Sequence, residues 1–203
     1  MFRFAFALAF ALGIVSTAAN ASSIRVDGDY AVSGPALYGW GLNVEAWDRT
    51  PHFDFHLDTH EHKTVKLFKI WTNEWYVNYD DKHWESLNVH FSFDSLDTSG
   101  TVEGYSRGFK NHYGQYGYVG WDNPLEIALE HGGMLLVSLT HEVFNWGKHH
   151  LNAGYHYGSY VYANFKYKPG DKVEPIPLPG ALPLMATALG LFGVAAWRRR
   201  KTA

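Results

Sequence analysis

The chain contains no cysteine. That excludes a disulfide framework, thiol catalysis and cysteine-ligated zinc or iron–sulfur centres. Charge is scarce too, at 18% of 203 residues, and part of the basic charge is confined to the two ends. Five of the 17 basic residues are Arg3, Arg198, Arg199, Arg200 and Lys201. That leaves 12 against 20 acidic residues between them, a formal balance of −8. Nucleic-acid binding needs basic patches to meet phosphates, so an acidic middle argues against that partner. No stretch between residues 22 and 168 keeps a helical period for three turns. No serine stands in a nucleophile elbow, and no glycine-rich phosphate loop opens a helix. Aromatic residues, in contrast, make up 17% of the chain, which excludes a disordered protein.

Residues 1–21 read as a secretory signal peptide. Arg3 supplies the positive start, Phe4 to Val15 the short apolar run, and Ala19 and Ala21 the small residues of a cleavage site after Ala21. At the other end, Gly180 to Trp197 is an 18-residue run without a charge. As a helix it would rise roughly 27 Å, near the thickness of a bilayer's hydrocarbon core. The basic cluster Arg198, Arg199, Arg200 and Lys201 follows it and should stay in the cytoplasm, leaving the middle on the far side of the membrane. Four of the eight prolines fall at 169–179, where alternating prolines force a stiff, extended segment. The expected organisation is therefore a signal peptide (1–21), an ectodomain (22–168), a proline-rich linker (169–179), a transmembrane helix (180–197) and a basic tail (198–203).

The order of proline motif, apolar helix, basic cluster and chain end resembles the PEP-CTERM sorting signal of Gram-negative bacteria. Ile176, Pro177, Leu178, Pro179, Gly180 and Ala181 look like its Val-Pro-Leu-Pro-Ala variant. Glu174 and Pro175 remain of the Pro-Glu-Pro form, with Val173 in place of its first proline. The resemblance implies an exosortase-type membrane transpeptidase as partner, an inner-membrane intermediate, and then the cell surface or extracellular matrix. It also implies association with exopolysaccharide and biofilm.

The middle alternates apolar and polar residues. Leu87, Val89, Phe91 and Phe93 share one face; Leu125, Ile127 and Leu129, then Leu135, Val137 and Leu139, then Val161, Ala163, Phe165 and Tyr167 repeat the pattern. Period two with one apolar face is a half-buried strand. Gly100, Gly104, Gly108, Gly114, Gly117, Gly120, Gly132, Gly133 and Gly154 read as turns between such runs. The expected fold is all-β: an antiparallel β-sandwich, jelly-roll-like, of eight to ten strands, with a closed barrel as the alternative. Trp71-Thr72-Asn73-Glu74, Val77-Asn78-Tyr79-Asp80-Asp81, Gly120-Trp121-Asp122-Asn123-Pro124 and Gly132 to Leu139, in that order, are similar to the β-rich ectodomains found ahead of this sorting signal. Those are treated as non-enzymatic.

Candidate chemistry is thin. In 52–62, Phe53, Phe55 and Leu57 should point inward and His52, Asp54, His56 and Asp58 outward, with His60 and His62 in line if the strand continues. Imidazoles two apart on a strand sit about 7 Å apart at the backbone, within reach of one Zn²⁺ or Cu²⁺. The plainer reading is a solvated histidine face. His141-Glu142 lacks the second histidine of a zincin, since position 145 is Asn. His149, His150 and Asn145 read as loop residues. Asp27-Gly28-Asp29 and Asp80-Asp81 have too few ligands for a calcium loop and read as turns. Tyr113, Tyr116 and Tyr118 among glycines, with Tyr155, Tyr157 and seven of the eight tryptophans, either cap the core or offer flat faces to sugar rings. The expected function is that of a non-catalytic, exported surface or matrix protein, structural or adhesive, without a cofactor. The alternatives are a carbohydrate-binding module and a metal-dependent surface enzyme using His52, His56, His60 and His62.

Overall fold

The computed structural model describes residues 23–170, apart from Arg49 and His131. The expected signal peptide with Ala19 and Ala21, the sorting motif Glu174–Ala181, the transmembrane helix and the basic cluster lie outside these residues. Among the described residues no helix is long and apolar enough to cross a membrane.

The domain is all-β. In chain order its strands are β1 (Ser23–Ser33), β2 (Glu45–Trp47), β3 (His52–Asp58), β4 (His62–Trp71), β5 (Glu85–Ser86), β6 (Asn88–Phe93), β7 (Thr98–Val102), β8 (Gly104–Asn111), β9 (Gly114–Trp121), β10 (Leu125–Ala128), β11 (Gly133–Leu139), β12 (Glu142–Gly147) and β13 (Ser159–Pro169). They form three antiparallel sheets: β3-β1-β6-β7, β10-β11-β13-β4-β2 and β12-β9-β8-β5. Thirteen strands are described where the alternation predicts eight to ten. The excess comes from the very short β2 and β5, and from β8 and β9, whose glycines the pattern assigns to turns. Pro169, expected to open the linker, ends β13 opposite Gly133.

Alternation produced the core as expected. Leu87, Val89, Phe91 and Phe93 are buried, as are Leu135, Val137, Leu139 and Val161, Ala163, Phe165, Tyr167. β1 lies between β3 and β6, so Tyr30 pairs with Phe91 across one ladder while Phe53 enters from the other side. The apolar faces of the first and second sheets meet there. Phe53 and Phe55 sit 5.3 and 5.0 Å from Phe165, and Tyr30 lies 6.2 Å from Phe68. These separations are those of tilted and edge-on ring packing. Phe68 then reaches Trp121 of the third sheet at 6.3 Å, edge-on, which ties all three sheets into one cluster.

Two features depart from simple alternation. Leu67 to Ile70 of β4 are buried consecutively, and the register against β13 shifts between Tyr160 and Tyr162. A bulge re-aims side chains, so both faces of β4 find cover. Gly104 and Gly108 lie inside β8 and Gly117 and Gly120 inside β9, where turns are expected. Their reason is space: a Cβ on Gly117 would fall 2.2 Å from Cε2 of Phe144, and one on Gly104 2.3 Å from Cε3 of Trp121.

Candidate functional site

In the third sheet the large side chains are outside. On β8, Gly104, Ser106 and Gly108 are buried while Tyr105, Arg107 and Phe109 alternate outward; on β9, Gln115, Gly117, Val119 and Trp121 are buried while Tyr116 and Tyr118 face out. Pairing sets Arg107 opposite Tyr118 and Phe109 opposite Tyr116. Val143 of β12, half exposed, continues the row beyond Tyr118. Trp84, just before β5, lies across the row, 4.6 Å from Tyr105 and 6.2 Å from both Phe109 and Tyr118. Phe109 and Tyr116 stack at 5.1 Å and 14°. His141, in the link from β11 to β12, lies nearly parallel to Tyr118 at 6.4 Å.

One cation sits in this aromatic face. The guanidinium carbon of Arg107 is 4.1 Å from the Trp84 ring centroid and 3.9 Å from that of Phe109. Such contacts contribute about 0.5–2 kcal/mol each, more as water is excluded. Nε of Arg107 is shut off from water and makes no hydrogen bond. The ion pairs of the described residues are all made by Arg25 and His52, so Arg107 has no carboxylate partner among them. Burial, and then the neighbouring Tyr105, raise the pKa of the Tyr118 hydroxyl, which stays a protonated donor at neutral pH. Trp84 remains 49% exposed. Flat rings half open to water, a planar cation and a phenol donor can hold a ligand with apolar ring faces.

The histidine row is divided. Phe53 and Leu57 are buried and His52, Asp54, His56 and Asp58 face out, as the alternation predicts. The strand does not continue to His60 and His62. His60 adopts φ 65°, the chain turns with Glu61 N–H bonded to the Asp58 carbonyl, and His62 opens β4 in the second sheet. His60 and His62 are therefore not in line with His52 and His56. Among the described residues no group of three or more His, Asp or Glu side chains is placed to hold one metal ion. β1 brings partners the local sequence does not show. Arg25 grips Asp54 bidentately, Nε to Oδ1 at 3.0 Å and Nη2 to Oδ2 at 2.9 Å. That guanidinium lowers the Asp54 pKa. Asp29 Oδ1 lies 3.1 Å from His52 Nδ1, and Asp27 Oδ1 3.7 Å from His52 Nε2. Asp27-Gly28-Asp29 is thus strand interior, not a turn.

The remaining candidates are structural. Nδ1 of His141 accepts the Trp121 N–H at 3.1 Å, fastening β9 to the link before β12. Asn145 is a buried residue of β12 at φ 52°, where the register against β9 shifts. Its Oδ1 accepts the Thr72 N–H at 2.9 Å, and its Nδ2 donates to the carbonyls of Asn152 and Gly154. It is a junction, not a loop residue. The carbonyl of His149 accepts from Gln115 Nε2 at 2.7 Å, and His150 packs 5.3 Å from Trp75.

Asp80 and Asp81 do form a short 3₁₀ turn. Asp81 is 1% exposed and one of its oxygens has no partner. Burial raises its pKa, and burial with Asp81 beside it pushes Glu74 up to about 7, against the opposing hydrogen bond from the Asn43 N–H. Two hollows of about 370 and 440 Å³, one beside Asp94, Asp97 and Glu130 and the other beside Glu103, Asp122 and Glu126, are lined by none of the rings of the aromatic face. No family model, curated protein or solved structure matches the chain.

Proposed function

We propose that the chain is an exported, exosortase-sorted, non-catalytic protein of the cell surface or extracellular matrix, which serves as a structural or adhesive component and contacts exopolysaccharide. In this reading the three sheets make a jelly-roll-like β-sandwich carried between a cleaved signal peptide and one C-terminal transmembrane helix. The observation that carries the binding part is the outer face of the third sheet, where Trp84, Tyr105, Phe109, Tyr116 and Tyr118 form a contiguous ring surface. Apolar patches of this kind on a domain surface mark interaction sites.

The sorting part rests on the C-terminal sequence alone. Protein recovered from the cell exterior, examined by mass spectrometry, is expected to end near Pro179 and to co-purify with the cell's own exopolysaccharide. Intact Arg198–Arg200 in that material would reduce the helix to a plain anchor. Recovery free of polysaccharide, with no retention when the polysaccharide is added back, would remove the adhesive role.

A further inference from the structure

We infer that the aromatic face of the third sheet selects acidic polysaccharide, with the Arg107 guanidinium pairing a uronate carboxylate while the rings around it cover the sugar's apolar face. The inference rests on the proposed glycan contact and specifies its chemical class.

The first ground is the state of Arg107. Its planar group is flanked by Trp84 and Phe109, which fixes the plane and strips water from its faces. Nε is shut off from solvent without a hydrogen-bond partner, and among the described residues no carboxylate forms an ion pair with the two terminal nitrogens. A desolvated, oriented fork matches a carboxylate bidentately. Arg25 shows what this chain does with an arginine meant for itself: it closes a two-bond pair with Asp54.

The second ground is what surrounds it. The acidic residues of the neighbouring strands point elsewhere. Glu85 lies opposite the buried Ser106, on the other side of the sheet, and Glu142 accepts the Ser159 hydroxyl at 2.9 Å. In a chain with 20 acidic residues, Arg107 makes no ion pair among the described residues, and the carboxylates of its own hairpin, Glu103 and Asp122, lie beyond Tyr105 at the far end of the ladder. Charge complementarity then calls for an anion, and the ring surface calls for one carried on a ring-shaped apolar scaffold. The overall acidic balance of the domain disfavours a nucleic acid.

The test uses the full chain in detergent, with polygalacturonate, its methyl ester and dextran as probes. The ester keeps the rings and removes the charge. At low salt the expected result is retention on polygalacturonate about 10-fold tighter than on the ester, as suits a charge-assisted pair. Arg107→Gln should remove the difference between the acid form and the ester. Arg107→Lys, which keeps the charge but not the fork, should fall between, with the unfolding midpoint checking that each variant folds. Equal binding of polygalacturonate and its ester would overturn the charge selectivity and leave the glycan contact standing. Binding of none of the three would overturn both. Self-association by sedimentation that Arg107→Gln abolishes would also overturn both, since a second copy would then occupy the face.

Discussion

The first and third sheets solve the same problem in opposite ways. In the first, Tyr30, Phe53, Phe91 and Phe93 fill the interior, and Arg25, His52 and Asp54 pair off on the outer face. In the third, glycine, serine and valine face the interior, Phe144 and Trp121 fill the space the glycines leave, and the large rings of β8 and β9 stand outside with an unpaired arginine. An outer ring contributes less to folding than an inner one, because much of its surface stays wet. The first sheet thus puts its aromatic residues into stability. The third leaves them where a partner can reach them.

The largest expected effect lies in the first sheet. Phe91 is fully buried, 6.1 Å from Phe53 and 6.3 Å from Phe165, so Phe91→Ala should lower stability by about 3–5 kcal/mol in denaturant titration. A loss below about 1 kcal/mol would mean the first two sheets do not share that core.

Next comes the inner side of the third sheet. Gly117→Ala adds a carbon that meets the Phe144 ring within 2.2–2.8 Å. Overpacking of this kind costs about 1–3 kcal/mol. The matched outer change, Trp84→Ala, should cost about 1 kcal/mol or less, given the exposure of that ring. If Trp84→Ala proved the more damaging of the two, the two faces of the sheet would be assigned the wrong way round.

The smallest effect is electrostatic. Glu74 titrates at about 7 in the fold against an ordinary 4.5. Between those values the folded state holds a proton that the unfolded state has released. Its contribution is therefore greatest below pH 4.5 and declines as pH rises toward 7. Asp54, with its pKa lowered by Arg25, acts in the opposite sense and loses its contribution as pH falls through the acid range. Glu74→Gln keeps an acceptor for the Asn43 N–H and should flatten the decline in melting temperature between pH 4.5 and 7. An unchanged slope would place the titrating group elsewhere.

The same contrast sets how far the fold could be read from the sequence. β6, β11 and β13 were legible because large apolar residues alternate with polar ones and burial follows size. β8 and β9 were not. Their inward positions are mostly small, and glycine in a run suggests a turn unless one knows that Phe144 or Trp121 lies opposite. Tyr116 and Tyr118 were visible as candidates for a sugar-facing surface. Trp84 was among the tryptophans so read, but Arg107 and Phe109 join the set only through the pairing of β8 with β5 and β9. The outward set His52, Asp54, His56 was legible from local period. The turn at His60 and the approach of Asp27 and Asp29 were not, because a positive φ in histidine and a register between strands 23 residues apart leave no local signature.

The central claim is that the outer face of the third sheet serves binding and not stability. It is tested most directly by measuring both properties on one variant, Tyr118→Ala combined with Trp84→Ala, in the full chain. The account predicts an unfolding midpoint close to wild type and retention on the cell's own exopolysaccharide reduced at least 10-fold, since stacked rings are worth about 1 kcal/mol or more each to a bound partner. Unchanged retention, or loss of the fold with loss of retention, would contradict it.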